Sequence, residues 1–267
     1  MENQDIKNMQ NKFVEYANNS METISANDTP RVKLLRQEAL KRFINNGFPT
    51  KKMEKWRNSR MIECVNESFN IDKIENKKHD FCCVIRELDT EVISMTNGQF
   101  SDNGSLRVLE NGIVIGSTRR AMQKYPELFE KYFGTCNIND NNGFYNINTA
   151  LWQDGFFIYA PKNAVGEKPI QIIKIIDEEN NPFIQTRNLI IVENNAQLQI
   201  IDCDDSIKEQ SSFVNSYTEI FIGENAQLEN YKLQNLNDNS SLLNTAPFVI
   251  CTLNPCIPIS LSELINE

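Results

Sequence analysis

The 267-residue sequence holds one histidine, His79. That scarcity excludes zinc sites built from several histidines and the metalloprotease motifs that need two on one helix. A Ser-His-Asp or Cys-His pair would have to use His79, which lies in the charged run from Glu75 to Asp80 and reads as a surface residue. No Cys-x-x-Cys occurs. The seven cysteines, Cys64, Cys82, Cys83, Cys136, Cys203, Cys251 and Cys256, are odd in number and irregular in spacing, so they read as free thiols. Cys82 and Cys83 would face opposite sides of a strand, a poor start for a metal site. No Gly-x4-Gly-Lys-Ser/Thr loop and no Gly-x-Gly-x-x-Gly fingerprint is present, since Gly112 to Thr118 lacks both lysine and spacing. No apolar run reaches the roughly 20 residues that span a bilayer. The first residues lack a basic stretch followed by an apolar one, so the expected compartment is the cytoplasm. Positive charge is also short, with 27 Lys and Arg against 36 Asp and Glu, a net −9. Repulsion of that sign opposes nonspecific contact with nucleic acid or anionic membranes.

What is present is a globular composition, 40% hydrophobic with 15 phenylalanines. Ile6, Met9, Phe13 and Tyr16 form one helical stripe. Asp28 or Thr29 caps a second helix with Pro30 in its first turn, an apolar face of Val32, Leu35, Ala39 and Phe43, and a stop at Gly47 and Pro49. Thr50 is expected to cap a third helix carrying Met53, Trp56 and Cys64. Between residues 31 and 60, ten basic side chains stand against Glu38 and Glu54, so this stretch is +8 and the remainder −17. It reads as a solvated helix face, with a docking surface for an acidic partner as the alternative.

From residue 80 the texture turns to strands. Phe81 to Ile85 reads as one, Arg107 to Ile115 as a hairpin around Asn111-Gly112, and Ser117 as the cap of a helix to Phe133 broken near Pro126. The polar loop Asn137 to Asn142 is a candidate boundary. Strands are expected at 155–160, 170–176, 188–192, 197–201, 216–222 and 227–233. An echo links Ile190 to Leu198 with Ile220 to Leu228 at an offset of 30, each copy closing on Asn-Ala-Gln-Leu. The period favours a stacked parallel β-helix over a sandwich with two similar hairpins. Asp202, Asp204 and Asp205 read as a polar turn, or alternatively as an acid and base of a β-helix enzyme that cuts polysaccharides. Residues 246–267 hold no lysine or arginine, and Pro247, Pro255 and Pro258 are expected to interrupt a strand ladder.

Three blocks carry a family resemblance. Gly47-Phe48-Pro49-Thr50-Lys51-Lys52-Met53-Glu54-Lys55-Trp56-Arg57 resembles a Gly-x-Pro-Thr-x-x-x-Glu-x-Trp-basic signature of SufD-type members of the SufB/SufD iron–sulfur cluster assembly family. Ile147-Asn148-Thr149-Ala150 with Asp154-Gly155 through Pro161 is similar to the family's Leu-Asn-x-Ala and Asp-Gly segments. Arg187 to Glu193, with Asn225 to Gln234, is similar to its first β-helix coils. Asn58 stands where the family often has tyrosine.

The resemblance implies an α+β fold leading into mainly β: a helical and mixed N-terminal domain, then a partial right-handed parallel β-helix. The expected domains are 1–145, 146–245 for the first coils, and a divergent tail at 246–267. It also implies a non-enzymatic scaffold subunit that pairs with a SufB-type subunit and a SufC-type ATPase. An iron–sulfur cluster and a reduced flavin are implied for the whole complex, and none for this chain. The resemblance fades near Asn244-Thr245, so the chain is expected to be truncated, its tail the product of a shifted frame or a truncated gene model, and its complex formation impaired. No catalytic, cofactor or metal residue is assigned. A purely structural interaction module using the basic stretch is a third reading.

Overall fold

The computed structural model describes residues 2–66, 68–71, 88–100, 104–136, 142–250 and 257–265. Helix α1 (Glu2–Ile24) turns the expected stripe inward, burying Met9, Phe13 and Ala17. Helix α2 (Pro30–Asn46) starts where Thr29 Oγ1 accepts from Val32 N at 3.4 Å. It ends at Gly47, whose φ of +65° suits a residue without Cβ and whose N–H donates to Phe43 O at 2.8 Å. The helix expected after Thr50 does not form. A single 3-10 turn (Glu54–Trp56) and the short α3 (Met61–Cys64) stand in its place. Thr50 O accepts from Met53 N, a tight turn, and Trp56 lies 5.3 Å from the ring of Phe144. A tertiary aromatic contact outweighs local helix propensity there.

Strands β1 (Glu91–Thr96) and β2 (Gln99–Phe100) form a hairpin through Asn97 and Gly98, both at positive φ, a turn the sequence reading passed over. Strands β3 (Arg107–Val108) and β4 (Val114–Ser117) form the expected second hairpin. Ser117 Oγ then accepts from Arg120 N at 3.1 Å and caps α4 (Thr118–Lys124), and Pro126 opens α5 (Pro126–Tyr132). Helix α6 (Gly143–Leu151) was not expected. Every one of its nine residues is buried, its polar Asn146, Asn148 and Thr149 included, so no exposed face marks it as a helix. Its one sequence signal is Asn142, whose Oδ1 accepts from Phe144 N at 3.0 Å. Residues 145 and 146, the expected domain boundary, both lie within α6.

The remaining strands are β5 (Phe156–Ala160), β6 (Ile170–Ile176), β7 (Phe183–Val192), β8 (Gln197–Ser206), β9 (Ser212–Ile222), β10 (Gln227–Asn235), β11 (Ser240–Ile250) and β12 (Ile257–Ile265). Strands β5 to β11 alternate between two sheets, and β12 joins the same sheet as β11. Sheet I runs β12-β11-β9-β7-β5-β4-β3, and sheet II runs β10-β8-β6-β1-β2. Neighbours from β5 to β11 pair parallel, giving a β-solenoid of about three turns. The parallel reading of the repeat is therefore the right one. Ile190 pairs with Ile220 and Gln197 with Gln227, the 30-residue offset of the sequence echo. The same turn recurs at Asn163, Asn195 and Asn225, with φ of 62°, 60° and 56°. Asparagine tolerates this left-handed conformation, and its side chain can bridge coils. Asn195 Nδ2 donates to Asn163 Oδ1 at 2.9 Å, and Asn225 Nδ2 to Asn195 Oδ1 at 3.4 Å.

Between the sheets, Ile158, Ile190, Ile220 and Phe248 stack coil on coil against Ile170, Ile172 and Ile200. The outer face of sheet I carries Phe183, Leu189, Ile191 and Phe213 and is covered by the helices. Each large side chain buried this way is worth roughly 1.5–3 kcal/mol.

Strand β11 contains Pro247 and β12 contains Pro258, so the proline-rich tail does not end the ladder. The expected interruption is local. No β9 partner registers with Ala246 or Pro247, where proline offers no N–H, and pairing resumes at Phe248 opposite Ile220. The strand expected at Phe81–Ile85, together with His79, Cys82, Cys83, Cys251 and Cys256, lies outside the described residues, as do 137–141 of the expected boundary loop.

Candidate functional site

Strand polarity and the 30-residue period decide where the chemistry-bearing residues fall. Asp202, Asp204 and Asp205 do not form a turn, because β8 continues through them to Ser206. Period two sends Asp205 to one face and Asp202 and Asp204 to the other, between the sheets. The register stacks Lys232 on Asp202 and Lys174 on Asp204. Lys174 Nζ lies 2.7 Å from Asp202 Oδ1 and 3.0 Å from Asp204 Oδ1. Lys232 Nζ lies 2.8 Å from Asp202 Oδ2 and also contacts Asp204 Oδ2. Two lysines and two aspartates thus alternate in a closed square, 6–17% exposed at their side chains. Burial alone would push the Asp202 carboxyl up, but Lys174 and Lys232 outweigh it and hold Asp202 below the usual carboxylate range. Burial would likewise lower Lys174, and Asp202 and Asp204 reverse that and raise it. Asp205, on the other face, accepts from Asn235 Nδ2 at 2.9 Å.

This geometry does not support the polysaccharide-cutting alternative. An acid and a base need carboxyls whose proton affinities are pushed apart and that reach a substrate. Here Asp202 and Asp204 are both neutralised by the same two lysines inside the solenoid. The sequence held the signal: adding 30 to Asp202 gives Lys232, and subtracting 30 from Asp204 gives Lys174.

A second ionic site lies on the outer face of sheet I, and sequence reasoning missed it. Arg187 Nη2 donates to Glu219 Oε1 at 2.7 Å, with both side chains fully buried. Arg187 Nη1 donates to Thr149 Oγ1 at 3.0 Å. Its guanidinium stacks 4.1 Å from the Tyr217 ring centroid and 5.1 Å from that of Tyr145. Burial opposes the charge of Arg187, yet Glu219 dominates and raises its pKa. Glu219 also accepts from Gly134 N at 2.9 Å and Cys136 N at 3.3 Å, which ties the end of the α5 region to the solenoid. Cys136 is buried, and that burial first, then Glu219, pushes its thiol up and away from reactivity. Burial also raises Cys203, while Cys64 is half-buried.

The basic stretch divides. Lys33, Lys41, Lys51, Lys52, Arg57 and Arg60 are exposed, as a solvated face requires. Arg36 is not: it is fully buried, donates through Nε to Asp28 Oδ2 at 2.5 Å and through Nη1 to Ala150 O and Trp152 O, and stacks 4.4 Å over Trp152. Burial lowers its pKa to about 10 against the pull of Asp28. Arg31 is half-buried and donates to Glu130 O.

Two open clefts lie among the described residues. One of about 470 Å³ lies between α1 and the start of α4, lined by Asn19, Thr23, Phe100 and Arg119, and one of about 500 Å³ lies beside Asp28 and Gln123. Neither cleft is lined by a glycine. Among the described residues, no group of three or more His, Cys, Asp or Glu could hold a metal ion. No described helix is long and apolar enough to cross a membrane.

Two family models match the chain: the SufBD protein N-terminal region over residues 7–172, and the SufBD core domain of SUF-system FeS cluster assembly over 175–250. The chain belongs to the SufBD family. The core match runs to Ile250, past the expected fading point at Asn244-Thr245, and β11 continues the parallel register over the same residues. An iron-sulfur cluster assembly SufBD family protein of Staphylococcus aureus strain MRSA252 is 34% identical over 131 residues. That stretch is 49% of this chain and 28% of the relative. A Staphylococcus saprophyticus member is 31% identical over the same length, with the same two shares.

The SufBD blocks seen in the sequence turn out to be joints. Asn148 Nδ2 donates to Thr186 O at 3.0 Å and Asn215 O at 2.8 Å, so α6 bridges two coils. Asp154 accepts from Ser117 Oγ, Arg119 N and Gly155 N. A Cβ on Gly155 would sit 1.9 Å from Arg187 O, so only glycine fits there. Phe48, next to Gly47, packs edge-on at 5.0 Å against Phe43.

Proposed function

We propose that this SufBD-family chain is a non-catalytic scaffold subunit of iron–sulfur cluster assembly, acting with a SufB-type subunit and a SufC-type ATPase, with the cluster as cargo. One observation carries the reading: the two SufBD family models together span residues 7–172 and 175–250, through both the helical layer and the solenoid. The charge chemistry is consistent with it. The Lys174–Asp202–Asp204–Lys232 square and the Arg187–Glu219 pair are spent on holding coils and layers together. The chain is assigned the cytoplasm by the same reading, and reduced flavin is assigned to the complex, with no residue of this chain given to it.

Co-expression with SufB-type and SufC-type proteins, followed by affinity capture of this chain, tests the proposal. Stoichiometric recovery of either partner supports it. Recovery of neither, from a chain shown to be folded by its cooperative unfolding, removes it.

A further inference from the structure

The buried charges of the solenoid are spent on one another, as in the Arg187–Glu219 pair. The exposed cations of the basic stretch are not. Lys33, Lys41, Lys52, Arg57 and Arg60 are exposed, and none of them enters an ion pair among the described residues. Glu38 is engaged by Arg42 at 3.3 Å and Glu63 by Lys51, which leaves Glu54 as the local acid.

These cations share a surface with apolar side chains. Val32, Arg36, Ala39 and Phe43 turn one side of α2 to the interior. The opposite side presents Lys33, Leu34, Gln37, Lys41 and Ile44. Leu34 is 55% and Ile44 46% exposed. The turn after α2 extends this face. Ring centroids of Phe43, Phe48, Phe144 and Trp56 succeed one another at 5.0, 5.0 and 5.3 Å. That chain of rings ties residues 51–57 to the C-terminal half of α2, with Lys52, Met53 and Arg57 exposed. An isolated exposed apolar side chain is ordinary. Here Leu34, Ile44 and Met53 are interleaved with the cations.

The sign of the charge calls for an acidic occupant, and the rest of the molecule narrows which kind. Outside residues 31–60 the chain carries −17. A long polyanion such as nucleic acid overhangs the patch and meets that field, whereas a segment of a few helical turns stays within it. Interleaved apolar side chains also match the stripe of an amphipathic helix better than a phosphate backbone.

We propose that the outer face of α2 and the turn after it form a docking surface for an acidic amphipathic helix of a partner protein. The cations meet its carboxylates, and Leu34, Ile44 and Met53 meet its apolar stripe. This role is additional to the scaffold reading and independent of it.

The probe is a labelled peptide of about 18 residues, glutamate and leucine in amphipathic order, long enough to form a helix. Its comparators are a scrambled peptide of the same composition and a single-stranded oligonucleotide of the same charge. Fluorescence anisotropy with the full chain should show the amphipathic peptide bound about tenfold tighter than either comparator, with affinity falling as salt rises. Lys33→Glu/Lys41→Glu should weaken it about tenfold or more and reduce the salt dependence. Leu34→Ser/Ile44→Ser should weaken it with the salt dependence unchanged. Lys7→Glu/Lys162→Glu, the same reversal at exposed lysines outside the stretch, should leave binding as it was. An unaltered thermal unfolding midpoint shows that each variant is folded. If Lys33→Glu/Lys41→Glu is not, Lys52→Glu/Arg57→Glu is read by the same criteria. Equal affinity for the scrambled peptide would overturn the proposal. So would a preference for the oligonucleotide, or equal losses in the Lys7→Glu/Lys162→Glu variant.

Discussion

Two of the buried ionic sites among the described residues use the same coil spacing to different ends. In sheet II, Lys174, Asp202, Asp204 and Lys232 stack along the ladder, each lysine touching both aspartates. In sheet I, Arg187 reaches Glu219 on the next coil from the outer face, beneath the helices. The square is self-contained and holds coils to one another. The pair is joined to Thr149 of α6 and to Gly134 and Cys136, so it holds the helical layer to the solenoid. Placement, rather than residue type, separates a register lock from a layer clasp.

The largest expected effect breaks the clasp. Arg187→Met strands a buried carboxylate and should cost about 3–5 kcal/mol in urea unfolding. Arg187→Lys should rescue it poorly, since an ammonium cannot both fork and stack on Tyr217 and Tyr145. Next, Lys174→Met leaves two carboxylates sharing Lys232 and should cost about 3 kcal/mol, while Lys174→Met/Asp204→Leu restores charge balance and should recover part of it. A double-mutant cycle reads the coupling, and its absence would mean the square contributes no register energy.

The pH dependence sharpens the same contrast. Asp202 is held below its ordinary value by the two lysines once their pull exceeds the burial penalty. Its contribution is therefore present above the unfolded value of about 3.9 and is lost as pH falls further, through the folded value. Asp202→Asn should flatten the unfolding free energy in that acid window and leave its slope near neutrality unchanged. Smaller again is Asn148→Ala, which removes two hydrogen bonds between α6 and the solenoid and should cost about 1–3 kcal/mol. Least is Asn195→Ala in the left-handed turn, about 1 kcal/mol, with Asn195→Gly nearly neutral in the same thermal melts.

Much of the fold was legible. The stripe of α1, the Thr29–Pro30–Gly47 bounds of α2, the Ser117 cap and the 30-residue echo each rest on local periodicity or capping chemistry. What failed to show has equally local reasons. Helix α6 is buried on every side and is only nine residues long, so no exposed face marks it. The stretch after Thr50 follows the aromatic contact of Trp56 with Phe144, 88 residues on in the chain. Asp202 to Asp205 look like a turn because aspartate favours turns, and only their lysine neighbours on adjacent coils make a strand tolerable.

By itself the sequence determined the period, the caps and the family blocks, because these depend on residues close together in the chain. Only the tertiary structure decided what the charges do. Arg36 sits among basic neighbours yet is buried on Trp152 and Asp28, and Asp202 sits among acids yet is held by two lysines. Electrostatic energy depends on distance in space, and the solenoid brings residues thirty apart to within hydrogen-bonding reach.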